Sequence, residues 1–172
     1  MEARTPSPSK VLVNPESKFV IRKAVEDDLP GILHCLRTAF EPYRTQYTPE
    51  AFQDTVLSVE TLATRFRSMA IVVAEQADGK IAGTIGYRLV SPAHGHIRGM
   101  AVLPECRGIG VAQNLLDAVQ DELRAQGCER VTLNTTKPLE RAIAFYRKNG
   151  FQPTGATRDF FGMALYEYER RL

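Results

Sequence analysis

HIRGMAVLPECRGIGVA, residues 96–112, reads as a strand, a proline break, a glycine-bearing turn and the opening of a helix. Between Arg107 and Ala112 the side chains shrink where backbone N–H groups are exposed. The first amides of a helix have no intrahelical acceptor, and the helix dipole makes that end positive. Small residues then let a phosphate approach the backbone. The stretch therefore predicts a pyrophosphate site. A dinucleotide fingerprint is a poor fit: Gly108 and Gly110 are not followed by the third glycine of GxGxxG. An early βαβ unit with a ribose-binding acid is missing too.

Around this stretch, 172 residues suffice for one domain with a sizeable core. A hydrophobic share of 44% with 24% charged residues is a globular balance. A net charge of +2 without a dense Lys/Arg run argues against a nucleic-acid partner. Cys35, Cys106 and Cys128 lack CxxC spacing, so neither a disulfide framework nor a metal is expected. No apolar run approaches the ~20 residues of a membrane span, and no signal-peptide core is visible. The expectation is a cytoplasmic protein with no membrane partner. Residues 1–18 read as a flexible tail rich in Pro and Ser, and 19–172 as a single domain.

Residues 19–24 (FVIRKA) form the first strand candidate, and Asp27 or a neighbour caps a helix with Pro30 in its first turn. Thr48-Pro49-Glu50 starts a second helix, with Phe52, Val56, Val59, Ala63 and Phe66 on one face. Strands follow at 70–75 and 81–90 around the Asp78-Gly79 turn, and at 96–102. Val111, Leu115, Ala118 or Val119, and Leu123 mark an amphipathic helix stopping at Gly127. A strand at 130–135, a helix opened by Pro138 and ended by Gly150, and two strands near 151–153 and 161–167 complete the chain. The order β-α-α-β-β-β-α-β-α-β-β, with about four helices, is α/β or α+β. A C-terminal strand at Tyr166-Glu167-Tyr168 is expected to offer an edge for a homodimer.

That order, with its glycine turn after the fourth strand, resembles the GNAT superfamily of acyl-CoA-dependent N-acyltransferases over roughly residues 19–167. Arg107, Gly110 and Ala112 satisfy the family's Arg/Gln-x-x-Gly-x-Gly/Ala motif. MAVLPE (100–105) is similar to its strand-and-proline lead-in, and AIAFYRKNGF (142–151) to its AxxxYxKxGF helix and strand. The resemblance implies a mixed, mostly antiparallel sheet, acetyl-CoA as co-substrate and no metal. It implies amides of Arg107, Gly108, Ile109, Gly110, Val111 and Ala112 on the pyrophosphate. Backbone groups of Met100, Ala101 and Val102 would face the pantetheine. Leu139 stands where many members carry a pantetheine-contacting Asn, a contact that Asn134 or Thr136 would replace.

The implied reaction is direct acetyl transfer to a primary amine, on a small molecule or a protein. Tyr146 occupies the place of the family's general acid: a phenol of pKa ~10 can support a departing thiolate of ~8.5. His96 falls where some members carry a catalytic Glu, and is the expected base, directly or through water. Asn134, where other members carry that Glu, cannot accept a proton; Glu75 is a lesser candidate. Phe40, Tyr43 and Tyr47 lie where the family's acceptor loop would be. Two rival readings are a non-catalytic acyl-CoA-sensing module and a Rossmann-like nucleotide binder.

Overall fold

The computed structural model describes residues 18–172. Residues 1–17, nearly all of the expected tail, lie outside them. In chain order the elements are β1 (Phe19–Lys23), α1 (Leu29–Phe40), α2 (Pro49–Val56), α3 (Val59–Ser68), β2 (Ala70–Gln76) and β3 (Ile81–Ser91). They continue with β4 (His94–Val102), α4 (Val111–Ala125), β5 (Arg130–Thr136), α5 (Glu140–Lys148), β6 (Gln152–Phe160) and β7 (Met163–Arg171). The strands form one seven-stranded sheet in the order β1-β2-β3-β4-β5-β7-β6. Every neighbouring pair is antiparallel except β4 and β5. Mixed α/β architecture with a mostly antiparallel sheet is thus as expected, but with one more helix.

The extra helix comes from a break that apolar periodicity does not register. The expected helix from Thr48 to Phe66 is interrupted at Leu57, a non-glycine residue with φ of 61° that nevertheless stays buried. Ser58 restarts the chain: its Oγ accepts from the Thr61 amide, and Thr61 Oγ1 accepts from the Ser58 amide. Val59, expected on the apolar face, is consequently 58% exposed. The helix cap at α1 also reaches further than expected. The Asp28 carboxylate accepts from the Val25 amide and from both terminal nitrogens of Arg22, tying α1 to β1.

Alternate residues of β3 show how the layers sit. A Cβ on Gly83 would lie 2.8 Å from Val111 Cγ1 and 2.9 Å from Leu115 Cδ1, and the Tyr87 hydroxyl donates to Glu122, all on α4. Gly86, on the opposite face, approaches Met69 at the end of α3. One face therefore carries α4, through its buried Val111, Leu115, Leu116, Val119 and Leu123, and the other carries the helices before β2.

At the C-terminal end, β7 is not the edge. It is hydrogen-bonded to β5 on one side and to β6 on the other, so Tyr166–Tyr168 cannot pair with a second copy. The free edge is β6, whose Pro153, Arg158, Asp159 and bulge between Pro153 and Thr157 are features that discourage further strand addition.

Candidate active site

β4 and β5 are parallel neighbours only from the His94–Arg130 pair to the Ile97–Leu133 pair. Both strands run on, to Val102 and Thr136, without pairing to each other. The cause lies in β4. Gly86 pairs with Arg98 and Thr84 with Ala101, so three residues of β4 span two of β3. Gly99 takes up the excess with φ of 68°. The bulge leaves main-chain groups beyond Ile97 turned toward a gap rather than toward β5. It also changes the phase of alternation: Ala101, not Met100 or Val102, shares the register face of His96 and Arg98. The expected single face through His96, Arg98, Met100 and Val102 therefore ends at the bulge.

A cleft of about 900 Å³ opens through this gap. At one end are Arg107, Gly108, Gly110, Val111, Ala112 and Gln113. Gly110 is the N-cap of α4, left-handed at φ of 91°, with no capping side chain. The first amides of α4 thus keep their donors for a ligand. Arg141 and Lys148 line the cleft as well. Ile109 does not: it is the outward residue of the turn, 51% exposed. Between the ends run Met100, Ala101 and Val102 on one wall and Asn134, Thr135 and Thr136 on the other. Thr135 Oγ1 is buried without a hydrogen-bond partner. An uncapped helix end, an unpaired strand edge and an orphan hydroxyl fit a long ligand with one strongly anionic end, as coenzyme A is.

Tyr146, buried to 7% exposure, stands against the middle of this channel. Its hydroxyl donates to Met100 Sδ at 3.4 Å, and Phe145 and Phe151 hold its ring edge-on. Burial raises its pKa well above the phenol range, so it is protonated at every working pH.

The model of the acetyltransferase (GNAT) family matches residues 29–151, which take in the bulged strand, the glycine turn and Tyr146. The chain belongs to that family. A 5-NmdU N-acetyltransferase of Pseudomonas phage PaMx11 is 28% identical over 150 residues, 87% of this chain and 98% of that protein. A mycothiol acetyltransferase of Beutenbergia cavernae is 33% identical over 86 residues, half of this chain, and the match spans only 29% of that longer protein. Among solved structures, the PaiA N-acetyltransferase of Thermoplasma acidophilum in complex with coenzyme A superposes with a TM-score of 0.75. It is 19% identical, with 91% of this chain and all of that chain covered.

In this GNAT chain the other end of the cleft is polar. Thr132 on β5 joins two histidines of β4, its Oγ1 lying 2.8 Å from His94 Nε2 and 2.9 Å from His96 Nδ1. Arg130 Nη2 lies 3.3 Å from His94 Nδ1 and can only donate. His94 Nε2–H therefore donates to Thr132, whose oxygen also meets His96 Nδ1. Burial first, then Arg88, Arg98 and His94, lower the His96 pKa to about 4. Glu167 on β7 pairs in register with Asn134 and lines the same cleft. Sequence reasoning missed Glu167 and Thr132, because neither belongs to a local motif; both are brought in by strand pairing. Glu75 is elsewhere, 2.6 Å from Arg22 Nε and outside the cleft.

The aromatic segment between α1 and α2 divides. Phe40 and Tyr43 line the cleft. Tyr47 also borders it, but is pinned: its hydroxyl shares a 2.5 Å hydrogen bond with Thr136 Oγ1, and its ring packs edge-on against Phe52. The cysteines offer no nucleophile, since all three are buried with raised pKa values, Cys35 pushed to about 12.

Proposed function

We propose that the protein transfers an acetyl group from acetyl-CoA to the primary amine of an acceptor by direct attack, with no covalent enzyme intermediate. The observation that carries this reading is the parting of β4 from β5 beyond Ile97 and Leu133, with the Tyr146 hydroxyl at Met100 beside the gap. Acetyl-CoA supplies an activated thioester. The N-terminal amides of α4, with Arg107, Gly108, Gly110, Val111 and Ala112, hold its pyrophosphate. Met100, Ala101 and Val102 bind the pantetheine along the unpaired edge, assisted by Asn134 and Thr136. A main-chain N–H freed by the bulge polarises the thioester carbonyl.

The amine nitrogen bonds to the carbonyl carbon, the C–S bond breaks, and the thiolate takes its proton from Tyr146. A phenol already donating to a thioether exchanges a weak acceptor for a charged one as the thiolate forms. The amine's proton passes to His96 or into a water relay. The relay is favoured. At pH 7 a histidine of pKa about 4 is unprotonated but weakly basic, and its Nδ1 is already engaged by Thr132 Oγ1. Glu167 is an acceptor-only group on the same floor to which such a relay can lead. Phe40, Tyr43 and Tyr47 border the acceptor.

A thiol-release assay with acetyl-CoA against a panel of primary amines tests the reading. Amine-dependent release is expected. Tight acetyl-CoA binding without release across the panel would replace it with a non-catalytic sensing role.

A further inference from the structure

The acceptor end of the cleft is cationic before any acceptor arrives. Arg65, Arg88, Arg98 and Arg158 line it beside His94 and His96, against the carboxylates of Asp54 and Glu167. Asp54 is committed to Arg98 at 2.6 Å. Glu167 accepts from Thr154 at 3.1 Å and faces Arg158 at 3.9 Å. Among the described residues, Arg65 and Arg88 have no carboxylate within ion-pair distance.

Arg65 is the informative one. It is half-buried, and its hydrogen bonding amounts to one long contact, 3.4 Å from Nη2 to the Asp54 backbone carbonyl. Most of its five donors are unused. Desolvation, with Arg98 adding to it, pushes its pKa down to about 10 against the opposing pull of Asp54. Its Nη1 lies 3.5 Å from where a Cβ on Gly99 would stand, directly over the bulge that opens the cleft.

A desolvated guanidinium with spare donors is stabilised by an anion. The acceptor adds a second argument, because an amine reaches the enzyme as an ammonium and this end of the cleft repels cations. An acceptor that carries its own anion reverses the sign. At Arg65 itself a single negative charge is called for: this guanidinium presents one unmatched charge, and the Asp54 carboxylate beside it disfavours a dianion such as a phosphate monoester at that point.

We propose that the acceptor is an amino carboxylate, its carboxylate held by Arg65 over Gly99 and its amine turned toward the thioester. Phe40, Tyr43 and Phe160 on the cleft wall receive its apolar body. The assignment rests on the acetyl-transfer reading above.

Thiol release is measured with phenylalanine, phenylalaninamide, phenethylamine and phosphoethanolamine, and with other amino acids paired with their decarboxylated amines. Amino acids should exceed the paired amines about tenfold or more in kcat/KM, mainly through KM. Arg65→Gln should remove that advantage by raising KM for the carboxylate substrate about 10- to 100-fold, the range of a charge-assisted pair, while KM for phenethylamine falls, because one of the charges that repel its ammonium is gone. Asp54→Asn, which deletes the competing carboxylate without truncation, should widen the preference. Equal use of amines with and without the carboxylate, a preference for phosphoethanolamine, or an Arg65→Gln loss common to all acceptors would overturn the proposal. Calorimetric titration of phenylalanine into the coenzyme A-saturated protein separates the two readings. Carboxylate- and Arg65-dependent binding without turnover keeps this site and sinks acetyl transfer. Turnover without preference keeps transfer and sinks the carboxylate site.

Discussion

Tyr146→Phe deletes one hydroxyl from a ring that Phe145 and Phe151 hold at centroid distances of 5.6 Å, so phenylalanine occupies the same packing slot. In the ground state the loss is one hydrogen bond to a thioether sulfur, worth about 0.5–1 kcal/mol. At roughly 2–4 °C per kcal/mol for a chain of this size, Tm should fall by no more than about 4 °C. In the transition state the same hydroxyl faces a developing thiolate. A hydrogen bond to a charged acceptor is worth about 1.5–3 kcal/mol, roughly 10- to 150-fold in rate. Proton transfer from phenol to thiolate is uphill by about 1.5 pKa units in water, and burial raises Tyr146 further. The hydroxyl therefore acts mainly as a donor while charge builds, and the proton follows late. A fall in kcat of about 100-fold is expected, with coenzyme A affinity by calorimetry unchanged within about threefold. A variant that keeps wild-type kcat would refute the placement of Tyr146 at the leaving sulfur. So would one whose lost rate is accounted for by weaker coenzyme A binding.

His96 is held below its unfolded pKa of about 6.5, so folding favours its neutral form. The stability this contributes is present above pH 6.5 and is lost as pH falls from about 6.5 through about 4. Melting curves of His96→Gln should show a shallower loss across that window, and an identical slope would contradict the buried neutral imidazole. If His96 takes the amine's proton, the acid limb of kcat/KM lies near pH 4 and disappears in His96→Gln; a limb that survives assigns the proton to the relay. Gly110→Ala forces a Cβ into a left-handed N-cap and should weaken coenzyme A binding severalfold or more, at a backbone cost of about 1–2 kcal/mol. Calorimetry showing unaltered affinity would remove the turn from the pyrophosphate site. Gly83→Ala drives a methyl into Val111 and Leu115 and should cost about 1–3 kcal/mol by denaturant unfolding; a neutral result would mean that α4 can shift without penalty.

Local chemistry made much of this molecule readable in advance. Glycines at 108 and 110, a proline at 104 and the 3.6-residue apolar stripe from Val111 to Leu123 specify a turn and a helix through backbone sterics and burial within a few residues. The Asp78-Gly79 turn and the tyrosine of α5 were equally local signals. Where two local signals conflicted, the sequence alone misled. Apolar spacing from Phe52 to Phe66 runs straight across the Ser58–Thr61 capping pair, because periodicity does not show that Leu57 takes a positive φ. Strand order, too, is not written locally. β7 lies between β5 and β6, which removed the expected dimerisation edge and set Glu167 opposite Asn134.

Composition and spacing thus determined by themselves the class of fold and the glycine turn, and the family resemblance of residues 142–151 marked Tyr146, since each depends on residues that are neighbours along a strand, turn or helix. Only the tertiary structure decided the character of His96 and of the acceptor end. The field at that histidine comes from Arg88, Arg98 and His94, and its hydrogen bond from Thr132, 36 residues away. The unmatched charge of Arg65 arises because Asp54 turns to Arg98, across 44 residues of chain. Burial and electrostatics are sums over spatial neighbours, and folding alone chooses those.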